Sequence, residues 1–145
     1  MKKIYTLGTD LRTEEDFIEI LASYNIQALI DVRSYPKSKI NIFCKKELEE
    51  LLNKQGIDYY FLGKELGGFR KGGYKAYALT ESFREGIEIL EKIAINKHSV
   101  IVCAEKFPWK CHRRWIAGEL YRRGWEVLHI IDKDKIWAPA YRLKY

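Results

Sequence analysis

The chain has 145 residues, 47% of them hydrophobic and 32% charged, a composition expected of one α/β-sized domain, 1–145, with a single sizeable core and no room for a second. Its 26 Lys and Arg against 20 Asp and Glu leave a net charge of +6, which favours anionic partners but does not by itself indicate nucleic acid. No apolar run reaches the length of a membrane span and no signal-like stretch precedes the first apolar segment, so a cytoplasmic chain without a membrane partner is expected.

Lys3 to Gly8 predicts a first strand, and Gly8 at its end permits a sharp turn or a close backbone approach to a ligand. Thr9, Asp10 and Arg12 follow in a loop. Thr13 with Glu14, Glu15 and Asp16 resembles a capping box, and Phe17, Ile20, Leu21 and Tyr24 supply the core face of the first helix. The second strand, Ile26 to Val32, is nearly all apolar and therefore expected to be covered on both faces. It ends in Asp31 and Arg33, either an internal ion pair or part of a site, with Tyr35, Pro36 and Ser38 beyond. Lys37 to Phe43 reads as a basic loop. A second helix from Lys45 to Gln55 turns Leu48, Leu51 and Leu52 inward and stops at Gly56.

Ile57 to Leu62 predicts the third strand, followed by Gly63–Gly73, with five glycines in eleven residues. Their spacing fits neither the dinucleotide fingerprint nor the P-loop, which leaves a lid or a solvated connector, with Tyr74 and Tyr77 on an aromatic rim. A third helix over Glu81–Ile95 buries Phe83, Ile87, Leu90 and Ala94. His98 to Cys103 is the fourth strand and Val127 to Ile131 the fifth, with His129 read as a core histidine. Trp137-Ala-Pro-Ala reads as an irregular tail.

Between the last two strands lies the stretch with the most chemistry, Val100 to Arg114. An apolar strand stops in Cys103 and Glu105, a short connection holds Pro108, and Cys111, His112 and Arg113 open a helix expected from Trp109 to Arg123. Ile116, Ala117, Leu120 and Tyr121 form that helix's buried stripe, and its first turn falls on His112 and Arg113. Arg113 at a helix start makes an anion site, and Glu105 at a strand end suits general acid or base chemistry. Three cysteines, an odd number, argue for reduced thiols, with a Cys103–Cys111 bridge only as a redox event. The thiols lack paired Cys-x-x-Cys spacing, so no structural metal is expected.

Alternating strands and helices predict a three-layer α/β sandwich around a five-stranded, mostly parallel sheet in the Rossmann-like or flavodoxin-like order 3-2-1-4-5. Gly8 to Arg12, Asp31 to Arg33 and Cys103 to Glu105 then meet at one crevice at the carboxyl edge.

These landmarks, Thr6-Leu-Gly8, Asp31-Val-Arg33 with Pro36 and Ser38, Leu66-Gly-Gly68, and Cys103-Ala-Glu105 followed by Cys111-His-Arg113, resemble the DUF488 family of uncharacterised α/β proteins over nearly the whole chain. Family members usually carry Gly-His-Ser where this chain has Gly8-Thr9-Asp10. The resemblance implies Asp31, Arg33, Cys103, Glu105, Cys111, His112 and Arg113 as positions of interest. Asp31-Val-Arg33 also resembles the opening motif of rhodanese-like domains.

The expected function is an enzyme or ligand-binding pocket acting on a small phosphorylated or nucleotide-like anion at the C-terminal edge of the sheet. Glu105, Asp31, His112 and Cys103 are the candidate catalytic residues; Gly8, Thr9, Arg12, Arg33, Cys111 and Arg113 are the candidate ligand contacts. The alternatives are a nucleic-acid-binding module, using Lys37, Lys39, Arg70, Lys71 and Arg122 with Tyr35, Phe69 and Trp109 as stacking faces, and sulfur transfer through Cys103 or Cys111.

Overall fold

The computed structural model describes residues 2–10, 12–38 and 40–138. The chain runs β1 (Lys2–Gly8), α1 (Glu14–Ser23), β2 (Ala28–Asp31), α2 (Lys45–Lys54), β3 (Asp58–Phe61), α3 (Gly63–Leu66), α4 (Tyr74–Tyr77), α5 (Glu81–Ala94), β4 (Ser99–Cys103), α6 (Arg113–Arg122), β5 (Trp125–Asp132) and β6 (Lys135–Trp137). Thr13 caps α1, its hydroxyl accepting from the Asp16 N–H, and Thr80 caps α5 by accepting from the Phe83 N–H. Gly124 closes α6 with φ +94°, a conformation that a residue with a Cβ rarely adopts.

The strands form one six-stranded mixed sheet in the order β3-β2-β4-β1-β5-β6. The expected order 3-2-1-4-5 is thereby corrected: β4 lies between β2 and β1, and a short β6 pairs antiparallel with β5. Both orders send the chain the same way across the sheet at every parallel crossover. They differ only in which of two apolar strands is central, and β1 and β4 are both buried along nearly their whole length.

Strand residues alternate between two cores, as a period of two requires. Tyr5, Leu7, Leu29, Val100, Val102 and Ile130 pack against Phe17, Ile20 and Leu21 of α1 and Leu48 and Leu52 of α2. Ile4, Ile30, Ile101, Cys103 and Val127 face the opposite layer, which holds Leu66, Phe83, Ile87, Leu90, Ile116, Ala117 and Leu120. Residues of β1, β2 and β4 end at one edge in register: Gly8 lies opposite Cys103, and Asp31 opposite Val102. Insertion of β4 between β2 and β1 therefore leaves the three strand ends at one edge, with the buried Cys103 between the other two.

Two element boundaries also shift. The last long helix begins at Arg113 instead of Trp109, because Pro108–Lys110 forms a separate 3-10 turn and Cys111 is extended at φ −137°, ψ 155°. The first part of the glycine-rich segment is helical, as α3, with Gly63 and Leu66 buried, whereas Phe69 and residues 71–73 are exposed. Of the expected tail, Trp137 belongs to β6 while Pro139 and Ala140 fall outside the described residues, as does Lys39.

Candidate functional site at the carboxyl edge of the sheet

A cavity of about 500 Å³ opens at this edge. Arg33, Ser34, Tyr35 and Lys37 come from the segment after β2, and Gly68 and Phe69 from the segment after α3. Ala104 and Glu105 follow β4, while Trp109, Lys110, Cys111, His112, Arg114 and Trp115 lead into α6. Arg33, Lys37, Lys110 and Arg114 face one acidic residue, Glu105, so the lining favours an anion. Tyr35 and Phe69 pack together at the rim, with ring centroids 5.6 Å apart, and both are exposed, as is Trp109.

The chemistry of the lining centres on Cys111. Its Sγ lies 3.4 Å from His112 Nδ1 and accepts the Arg113 backbone N–H at 3.5 Å. His112 Nε2 is 2.8 Å from the Val32 carbonyl oxygen, which can only accept; that bond places a proton on Nε2 and turns Nδ1 toward the sulfur. Gly68 lets the ring sit there, since a Cβ at that position would come within 2.6 Å of His112 Nδ1. Tyr74 tilts against the other side of the imidazole at 5.2 Å, its hydroxyl donating to the Leu66 carbonyl.

The Cys111 thiol is held well below the ordinary thiol range. A hydrogen bond from Cys103 contributes most, burial opposes it, and His112 and the Arg113 charge add to the lowering. Its partner is pushed the other way, because Cys103 is sealed from solvent and burial disfavours its thiolate.

Six of the expected site residues do not line the cavity and are bound into the fold. Gly8 approaches the backbone of residue 105 so closely that a Cβ would lie 1.9 Å from the Glu105 carbonyl oxygen; its close contact is with the chain itself. The Thr9 N–H donates to the Cys103 carbonyl at 2.9 Å. Arg12 ties the first loop to the sheet by donating to the carbonyls of Gly8 and Ile131, both at 2.6 Å. Asp31, fully buried, accepts from Arg33 Nε and Nη2 at 2.8 Å and from the Tyr59 hydroxyl at 2.7 Å. Cys103, buried at the end of β4, points its thiol to the Glu105 carbonyl at 3.8 Å. Arg113, also fully buried, donates from Nη1 to Thr6 Oγ1 at 2.9 Å and from Nη2 to the Glu105 and Lys106 carbonyls at 2.7 and 3.1 Å. Only its Nε lacks a hydrogen-bond partner among the described residues.

Four expected residues line the cavity: Arg33, Glu105, Cys111 and His112. Glu105 is exposed, so the burial anticipated for its carboxylate is absent. Gly68, Lys110, Arg114 and Trp115 had not been singled out as site residues; the signal for three of them was adjacency to Cys111 and His112 in sequence. Arg70 and Arg122 lie elsewhere, Arg70 over the Tyr77 ring and Arg122 paired with Glu119. Among the described residues no three His, Cys, Asp or Glu side chains gather into a metal-binding group, and no helix is long and apolar enough to cross a membrane.

An α/β sandwich carrying a Cys-His pair at the carboxyl edge of its sheet is the class of protein that this geometry defines. Residues 13–120 match the family described as "Domain of unknown function DUF488", and the chain belongs to that family. Comparisons with curated proteins and with solved structures return no match.

Proposed function

We propose that the chain is a thiol-dependent enzyme acting on a small phosphorylated or nucleotide-like anion, with Cys111 as the reacting group. The observation that carries this reading is the placement of the Cys111 sulfur on the cavity wall, 3.4 Å from His112 Nδ1 and among four cationic side chains. His112 takes the thiol proton, and the resulting thiolate is the nucleophile. Lys37, Lys110 and Arg114 hold the anion, joined by whichever N–H groups of Arg33 are not already given to Asp31 and the Phe43 carbonyl. Glu105 is placed to exchange a proton with the ligand, and the exposed faces of Tyr35, Phe69 and Trp109 suit a planar ring. Arg113 and Asp31 support the site from below.

Sulfur transfer would use the same thiolate, and a persulfide on Cys111 would identify it. For nucleic acid the support is narrower: Lys37, Tyr35, Phe69 and Trp109 belong to the cavity and its rim, whereas Arg70 and Arg122 do not extend it into a track.

Alkylation with iodoacetamide tests the reading. Cys111 should react faster than Cys44 at about pH 6, by roughly tenfold or more, because an ordinary thiol is almost fully protonated there. Saturating adenosine monophosphate or inorganic phosphate should slow that reaction, and Arg114→Ala should weaken the protection. Equal rates at Cys44 and Cys111, or rates at Cys111 indifferent to both anions, would remove the proposal.

A further inference from the structure

We infer that Cys103 and Cys111 form a redox-active pair, in which Cys111 meets an oxidant in the cavity and Cys103 then closes a disulfide on it. The inference rests on Cys111 being the reacting thiol of the proposed function, and it assigns Cys103 a role of its own.

Proximity comes first. The chain leaves β4 at Cys103, passes through the Pro108–Lys110 turn and returns at Cys111, which packs against the core cluster that holds Cys103, on the same side of the sheet. The Arg113 guanidinium holds the intervening loop in this path by its grip on the carbonyls of Glu105 and Lys106. Disulfide formation requires the sulfurs to approach to about 2 Å. Cys111 lies in extended backbone between the turn and α6, its N–H donating to the Pro108 carbonyl and its carbonyl accepting from the Arg114 N–H, both at 3.2 Å, so the approach falls to the two side chains.

Unequal exposure then fixes the order of events. Cys103 is only 1% exposed, whereas Cys111 lines the cavity. A dissolved oxidant therefore reaches Cys111, and Cys103 meets only what Cys111 has become. The third cysteine takes no part: Cys44 donates to the Ser38 carbonyl next to Phe43, whose side chain packs in the core on the other face of the sheet.

With a hydroperoxide as oxidant, the Cys111 thiolate attacks the terminal oxygen. A sulfur–oxygen bond forms, the oxygen–oxygen bond breaks, and the departing alkoxide takes a proton from water. Cys111 is oxidised to the sulfenic acid and the peroxide is reduced to an alcohol. The Cys103 sulfur then attacks the Cys111 sulfur; the sulfur–oxygen bond breaks, and hydroxide leaves as water with the Cys103 proton. The disulfide is returned to two thiols by an external dithiol through exchange. While it persists, no thiolate is available in the cavity.

The reduced full chain should be treated with one equivalent of hydrogen peroxide, blocked, and digested with trypsin. Cleavage after Lys97, Lys106, Lys110 and Arg113 leaves Cys103 and Cys111 on separate peptides, so a bridge between them is read directly by mass. The expected result is a Cys103–Cys111 disulfide with Cys44 still reduced, and the same product in Cys44→Ala. In Cys103→Ala, dimedone should trap the Cys111 sulfenic acid in roughly tenfold higher yield than in the unaltered chain. Conversion of Cys111 to sulfinic acid without a bridge, with rapid alkylation retained, would overturn the inference and leave the proposed function standing. A Cys111 inert to both peroxide and iodoacetamide would overturn both.

Discussion

Arg113 is the largest of the fully buried side chains, and its surroundings explain why the first turn of α6 carries a charge at a core position. The stripe through Ile116, Ala117 and Leu120 does extend back to Arg113, as the helical period requires. At that level the sheet offers Thr6, and the returning loop offers the carbonyls of Glu105 and Lys106, so the guanidinium is spent on the fold beneath the cavity. Arg113→Ala should therefore strand buried acceptors and open a void, costing roughly 3 kcal/mol or more and lowering Tm by about 10 °C. Arg113→Lys should recover only part, because one ammonium cannot span acceptors on both sides of a planar fork. A thermal melt checks both; an unchanged Tm for the alanine variant would contradict the supporting role. Cys111 two positions earlier was legible as a thiol near a helix start. That its neighbour in space is Cys103 depended on the path of a loop whose sequence has no period.

Elements set the orientation of His112 more than its own helix does. The imidazole is held between the Val32 carbonyl after β2 and the backbone of Gly68 after α3, two segments far apart in sequence. Gly68→Ala tests that clamp, since its Cβ would press on Nδ1 at 2.6 Å and turn the ring away from Cys111. Alkylation of Cys111 near about pH 7 should slow by roughly tenfold, while Tm shifts by no more than about 3 °C because a single side-chain end can give way. A slowed reaction matched by a large loss of Tm would mean that the clamp is structural. The glycine cluster signalled an unusual segment, but glycines permit both a mobile lid and tight packing. Leu66, buried against α5, anchors the α3 part of the segment, while Phe69 and residues 71–73 stay exposed.

On the scale of the whole molecule, β1, β5 and α6 share a polar chain. Arg113 donates to Thr6 Oγ1, and Thr6 Oγ1 lies 2.6 Å from His129 Nδ1. Burial, aided by the Arg113 charge, lowers the His129 pKa from 6.5 to about 3. The unfolded chain therefore binds a proton that the fold refuses. Stability from this residue is intact above about pH 6.5 and is lost as the pH falls toward about 3, by up to roughly 1.4 kcal/mol per pH unit. Urea denaturation across this range should give a shallower acid limb for His129→Gln than for the unaltered chain; parallel limbs would sink the assignment.

The sequence by itself determined the α/β class, the five parallel strands and four long helices that supply most of both cores, and the meeting of Gly8, Asp31 and Cys103 at one edge, because hydrophobic period and crossover direction are local properties. Tertiary structure decided which strand is central, since exchanging β1 and β4 leaves every period and direction unchanged. It also decided which polar residues face the cavity and which lie beneath it. Arg33, Cys103, Cys111 and Arg113 are all plausible site residues one at a time; only the hydrogen bonds and burial made by segments distant in sequence separate Arg33 and Cys111, which line the cavity, from Cys103 and Arg113, which do not.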